Sequence, residues 1–231
     1  MPRRLRPARA VRPAPAGPGA LAVIRGGFYR LFATLLLYPT AQRLADARAM
    51  ARALGRHDAV LAGFAFYPQW RRVQAALAQL APQDARDLRD LQEEFVRLFL
   101  VRPAAVPCAS AYCGAAAVTW LPASLSRTYA EAGLAPSPAA GEPPDGVAVE
   151  LEFMAALCET EAAAPDGEHF AILVRERRFL ADHLARWFPR FAQCVARAAP
   201  AGFYATVTDA ALAFVLHDRD LVGALQRLSP P

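Results

Sequence analysis

The chain has 231 residues, of which 55% are hydrophobic and 20% charged, a composition that suits one domain of about 200 residues around a single core. Its formal charge of +5 is concentrated at one end: Arg3, Arg4, Arg6, Arg9, Arg12 and Arg25 precede the first acid, and from Gly26 onward 20 arginines face 21 acids, a balance of −1. A body so balanced offers no broad basic face to phosphates, which argues against a nucleic-acid partner.

Residues 1–25 read as an Arg/Pro/Ala-rich disordered tail preceding a domain over 26–228. Arg3-Arg4 opens like an export signal, but Pro13, Pro15 and Pro18 interrupt the stretch that such a signal keeps apolar. No apolar run approaches the roughly 18 residues of a membrane span, so a cytoplasmic protein without stable membrane insertion is expected.

Helical periodicity then runs almost throughout. Over 25–38, Phe28, Leu31, Phe32, Leu35 and Leu36 recur at one-turn spacing, and Pro39 ends the run. Gly26-Gly27 reads as a cap or hinge at that helix's start. Further helices are predicted over 41–54 and 58–80, the latter broken or kinked at Pro68. Ala81-Pro82 opens the next, with Leu88, Leu91, Phe95, Leu98 and Phe99 on one face. Arg102-Pro103 closes it and a loop follows over 103–117. A helix over 121–132 leads to a proline-rich hinge at 133–144. Helices are then expected over 145–163 and, with Asp166 as N-cap, up to Phe188. The latter carries Leu173, Leu180, Leu184 and Trp187 on one side. Pro189 starts another segment, and 203–216 with 218–228 complete the set. The fold class is therefore all-α: a single-domain helical bundle of about nine or ten helices, with the hinge loop between two halves.

Catalytic signatures are missing. No G-x-G-x-x-G, Walker loop, G-x-S-x-G or H-E-x-x-H is present, and Ser110 and Ser124 have no histidine close in sequence. Cys108, Cys113, Cys158 and Cys194 lack C-x-x-C spacing, and the four histidines pair with no cysteine motif, so neither a disulfide framework nor a metal site is expected.

One stretch stands apart in charge. Between Arg127 and Arg175 there is no arginine, yet Glu131, Glu142, Asp145, Glu150, Glu152, Glu159, Glu161, Asp166 and Glu168 all fall there, an acidic pole with no compensation along the sequence. Within it Val147, Leu151, Met154, Leu157 and Cys158 share an apolar helical sector. Glu152 and Glu159 lie outside that sector, Glu161 at its edge and Glu150 inside it. A carboxylate on a packing face needs a partner. An arginine is expected beside Glu150, either within the chain or on a ligand.

Three stretches, in order, resemble the TorD/DmsD family of redox-enzyme maturation chaperones, which includes the related nitrate-reductase chaperones. The first runs Leu91-Gln92-Glu93-Glu94-Phe95-Val96-Arg97-Leu98-Phe99-Leu100, followed by Pro103, Pro107-Cys108 and Ser110-Ala111-Tyr112. The second is Glu142-Pro143-Pro144-Asp145-Gly146 with Glu150-Leu151-Glu152-Phe153-Met154, similar to the family's E-P-x-D-H hinge and the helix after it. The third is His183-Leu184, Trp187, Pro189 and Phe191, with Phe203-Tyr204 beyond. Gly146 stands where the family carries histidine. The resemblance covers about 26–228. It implies a non-enzymatic escort, with no cofactor of its own, for the catalytic subunit of a molybdopterin oxidoreductase. Such an escort binds the twin-arginine signal region, delays export and keeps the apoenzyme open to molybdenum cofactor. On that reading Phe99, Tyr112, Trp120, Pro143 and Pro144 form an apolar groove, Glu142 and Asp145 select arginine, and Glu150 joins the acidic side. Monomer and domain-swapped dimer stay open. So do two other classes on the residues alone: a nucleotide- or cofactor-handling maturation enzyme, and a helical protein-interaction module without a signal-peptide role.

Overall fold

A computed structural model describes residues 18–80, 85–134, 141–165 and 167–228. Among the described residues the chain forms ten α-helices and no strand: α1 (Pro18–Leu35), α2 (Ala41–Gly55), α3 (Asp58–Leu61), α4 (Tyr67–Gln79), α5 (Ala85–Phe95), α6 (Ala117–Glu131), α7 (Val147–Ala163), α8 (His169–Phe179), α9 (Ala185–Ala198) and α10 (Phe203–Leu228). The all-α reading holds. The expectations on residues 1–17, on Ala81-Pro82 as a helix start, on Asp166 as an N-cap and on 135–140 of the hinge lie outside the described residues.

The apolar stripe of α1 explains its central place. Phe28, Leu31, Phe32, Leu35 and Leu36 are all buried, and α1 packs along α7 more extensively than any other pair of helices packs. Phe28 meets Phe66, Trp70 and Phe214 at ring centroid distances of 5.0 to 5.2 Å, which joins α1 to α4 and α10 through aromatic contacts. The two sides of the hinge thus share one hydrophobic core.

Several boundaries differ from the sequence reading. Helix α1 begins at Pro18, so residues 18–25, assigned above to the tail, are helical. Gly26-Gly27 lies inside α1 and is no cap: a Cβ on Gly26 would sit 3.2 Å from Cys158 Cβ, and one on Gly27 would sit 3.0 Å from Leu54. The missing side chains let α7 and α2 approach α1 closely. The stretch 58–80 is broken, as one of the two expectations at Pro68 had it, into α3 and α4, and Pro68 lies in the first turn of α4, which needs no N–H from it. Pro189 starts nothing, because it lies within α9. A five-residue π-helical turn, Leu180–Leu184, runs between α8 and α9 just ahead of that proline, which offers no N–H to the preceding turn. Residues 203–228 form one helix where two were expected.

The largest correction concerns Arg25, counted above with the tail. It is buried at 2% exposure and faces three buried carboxylates. Its Nε donates to Asp218 Oδ1 at 2.6 Å and its Nη2 to Asp218 Oδ2 at 3.2 Å, while its two Nη groups also reach Glu161 and Glu176. Tyr29 OH donates to Asp218 Oδ2 at 2.7 Å. The cluster ties α1, α7, α8 and α10 together.

One guanidinium cannot balance three carboxylates away from water. Burial pushes the Glu176 carboxyl up to about 8, against the pull of Arg25 and with help from Glu161 and Asp218. The folded protein therefore keeps a proton that the unfolded chain gives up near pH 4.3. That stabilisation is complete at low pH and lost as pH rises through about 8. Urea titrations between about pH 5 and pH 8 should show stability falling with pH, and Glu176→Gln should flatten that slope. A variant with an unchanged slope would contradict the assignment. Arg25→Met, which leaves the three acids unpaired, should cost about 3–5 kcal/mol in the same titration.

Candidate functional site

Two loops converge at one end of the bundle. Residues 101–116 follow a second π-helical turn, Val96–Leu100, and residues 141–146 lead into α7. They are joined by a short antiparallel bridge, in which Ala109 N–H donates to Asp145 O and Val147 N–H to Pro107 O, both at 2.9 Å. Asp145 is buried, and its Oδ2 accepts from Ser110 N–H at 3.1 Å. Tyr129 OH donates to Pro144 O at 2.7 Å, and Gly146 N–H to Pro143 O at 2.8 Å. A Cβ at Gly146 would sit only 3.0 Å from that Pro143 carbonyl. Here glycine makes the turn tight, and any larger residue would need the turn to shift. Asp145 therefore holds the loops together, where a solvent-facing arginine selector was expected.

Glu150 is fully buried, as its place in the apolar sector of α7 requires, but among the described residues no arginine pairs with it. Its Oε2 accepts from Trp187 Nε1 at 2.9 Å and its Oε1 lies 2.8 Å from His183 Nε2. Burial raises the Glu150 carboxyl above its ordinary range, while the bonds from His183 and Trp187 oppose that rise and the nearby Asp145 adds to it. His183 sits in the π-helical turn after α8 and Trp187 on the next turn, four residues on, so both reach the same acid. The His183–Trp187 spacing was visible in the sequence, but nothing there linked it to Glu150.

The remaining candidates separate. Phe99 is buried in the core against Phe95, Phe191 and Tyr204, away from the cleft at Trp120. Tyr112 is half-buried and stacks on Trp187 at 5.8 Å, and its carbonyl accepts from Arg190. Trp120 is 54% exposed. It opens a cleft of about 410 Å³ between α6 and α8, walled by Leu121, Leu125, Phe153 and Phe179, with His183 also lining it. Glu131 and Asp182 line the same cleft with Arg175 and Arg178. Glu142 and Pro143 are exposed and Pro144 half-buried. The structure thus joins Tyr112 and Glu150 on Trp187, places Pro144 and Asp145 on the neighbouring loop, and brings Trp120 to the cleft that His183 lines.

The acidic stretch is compensated in part in space. Arg30 of α1 pairs with Glu152 and Glu159, Arg25 takes Glu161, and Asp145 and Glu150 are buried in the contacts above. Glu131, Glu142 and Glu168 remain exposed. Among the described residues no group of His, Cys, Asp or Glu is placed to hold a metal ion, and no helix is long and apolar enough to cross a membrane.

Comparison with known proteins converges on one group. A family model described as the nitrate reductase delta subunit matches residues 65–193. Chaperone protein TorD of Vibrio cholerae serotype O1 is 31% identical over 151 residues, 62% of this chain and 67% of that protein. Chaperone protein TorD of Photobacterium profundum is 32% identical over 130 residues, 54% of this chain and 60% of that protein. The crystal structure of a protein described as a redox enzyme maturation protein, from Archaeoglobus fulgidus, shares the fold. It has a TM-score of 0.56 at 22% identity, over 83% of this chain and 93% of that one. The matched residues 65–193 contain both loops, Glu150, His183 and Trp187.

Removing the Glu150 carboxylate should leave the buried Trp187 Nε1–H without its acceptor and His183 without its carboxylate partner. Glu150→Ala is expected to lower unfolding free energy by about 3 kcal/mol and to alter the near-ultraviolet dichroism of Trp187. Glu150→Gln, which keeps one acceptor, should cost about half as much. Equal stability of Glu150→Ala and the parent chain would contradict this geometry.

Proposed function

This chain belongs to the nitrate reductase delta subunit family as a TorD-type chaperone of redox-enzyme maturation, and we propose that its client is the catalytic subunit of a molybdopterin oxidoreductase. In this reading it works in the cytoplasm. It binds the client's twin-arginine signal region, delays export and keeps the apoenzyme open to cofactor insertion.

The observation that carries the proposal is the exposed Trp120 at a cleft whose walls are apolar and whose polar lining is balanced, two carboxylates beside two arginines. A signal region offers the matching chemistry, an apolar stretch preceded by paired arginines. An exposed Arg–carboxylate pair contributes only about 0.2–1 kcal/mol, whereas sealing an aromatic side chain from water contributes about 1.5–3 kcal/mol. Affinity on this account comes from Trp120 and the apolar walls. Glu131 and Asp182 offer acceptors to an incoming arginine, beside Arg175 and Arg178 of the same lining, and Glu142 lies exposed on the loop before α7. Asp145, buried under the bridge, acts indirectly by setting the loops.

The three tryptophans make the test direct. Trp70 and Trp187 are 0% and 1% exposed, so a change in emission on binding reports Trp120. Titration with a twin-arginine signal peptide should shift emission to the blue. Trp120→Ala should weaken binding by about tenfold in calorimetry, the factor that about 1.4 kcal/mol represents. Replacing the peptide's paired arginines with alanine should weaken it by a smaller factor, about threefold. Absence of heat and of any emission change with the signal peptide of the client would refute the proposal.

A further inference from the structure

The cleft between α2 and α4 is larger than the one at Trp120, about 570 Å³, and its chemistry is different. Arg48, Arg52, Arg71 and Gln74 line it against a wall of alanine and leucine, and none of its lining residues is acidic. The local sequence concentrates charge in the same place. Residues 41–80 carry six arginines and two acids, a balance of +4 in a body whose overall balance from Gly26 is −1.

Two of the three guanidiniums are fixed in place by the fold. Arg48 is half-buried, and its Nε and Nη2 both donate to the Leu77 carbonyl, at 3.1 and 3.0 Å, so the group is oriented without a carboxylate to neutralise it. Arg71 donates through Nη1 to Asp58 Oδ2 at 3.1 Å and to Gln74 Oε1 at 2.7 Å, leaving its other nitrogens free to donate elsewhere. Asp58 offsets that one charge. Arg52, in the last turn of α2, forms no ion pair among the described residues. Its place at a helix C-terminus accounts for one arginine by the helix dipole, but not for three gathered on one concave surface. Arginine forks match the oxygens of phosphate in pairs, and a concave site with low-dielectric walls strengthens that attraction.

We propose that the α2–α4 cleft is a binding site for a small molecule carrying two neighbouring phosphate groups. The phosphates would engage Arg48, Arg52 and the free side of Arg71, with the rest of the ligand on the alanine wall formed by Ala51, Ala75 and Ala78. The site is separate from the cleft at Trp120. Its α2 side lies ahead of residues 65–193, outside the span matched by the family model. It therefore stands or falls independently of the client-binding reading.

Inorganic pyrophosphate is the probe, titrated calorimetrically into the full chain at low salt. Binding is expected, stronger than that of inorganic phosphate at equal ionic strength. Arg52→Gln, which removes an exposed side chain without an ion pair, should weaken it at least about threefold, and Arg48→Gln with Arg52→Gln about tenfold. Arg72→Gln is the control: that residue pairs with Asp209, does not line the cleft and should leave binding unchanged. Thermal melting of each variant shows whether the fold survives, and Arg52→Gln keeps the test valid if Arg48→Gln does not fold. Absence of binding, or equal weakening by Arg72→Gln and Arg52→Gln, would overturn the proposal in favour of diffuse surface charge.

Discussion

Arg25 shares a water-free space with Glu161, Glu176 and Asp218, and the rest of the molecule is arranged around that imbalance. Desolvating four ionisable groups is unfavourable, and the penalty is offset only when the helices place the three acids on one guanidinium together. The cluster thereby links α1, α7, α8 and α10 through one guanidinium. The site depends on this arrangement. Helix α7 carries Glu150, α8 runs into the turn that carries His183, and both contribute to the cleft at Trp120. The ion cluster and the Glu150 contacts are thus two polar fastenings between the same pair of neighbouring segments.

Departures from regular helix gather at this end of the molecule. The π-helical turns Val96–Leu100 and Leu180–Leu184 both adjoin it. Such turns recur at functional sites because the extra residue re-aims a side chain. The first carries Phe99 inward and is followed by Arg102, whose φ of 49° lies in the left-handed region. The second carries His183 to Glu150. A bridge joins the two loops, and Tyr112 of the first loop stacks on Trp187 of α9.

What the sequence made legible was local. The stripes of α1 and α5 recur at helical spacing, and burial of Glu150 could be read from its apolar sector alone. The identity of its partner could not, because His183 lies 33 residues away and sequence spacing carries no information about which helix faces it. Arg25 was misplaced for the same reason: it is 193 residues from Asp218, and before folding it resembles its arginine-rich neighbours. The acidic stretch looked uncompensated because α1, which supplies Arg25 and Arg30, precedes it by more than a hundred residues. Phe99 and Asp145 belong to recognisable motifs, yet both serve packing and loop geometry, a distinction that only three-dimensional contacts make.

In the proposed function, one end of the bundle is the client-facing surface and the ion cluster is its fixed support. Amide hydrogen exchange, measured with and without a twin-arginine signal peptide, tests both parts at once. Slowed exchange confined to α6 and to the segment from α8 through the turn at His183, with the amides of α1 around Arg25 slow in both states, is the predicted result. Protection at α2 and α4 instead, or an unchanged pattern at saturating peptide, would contradict it.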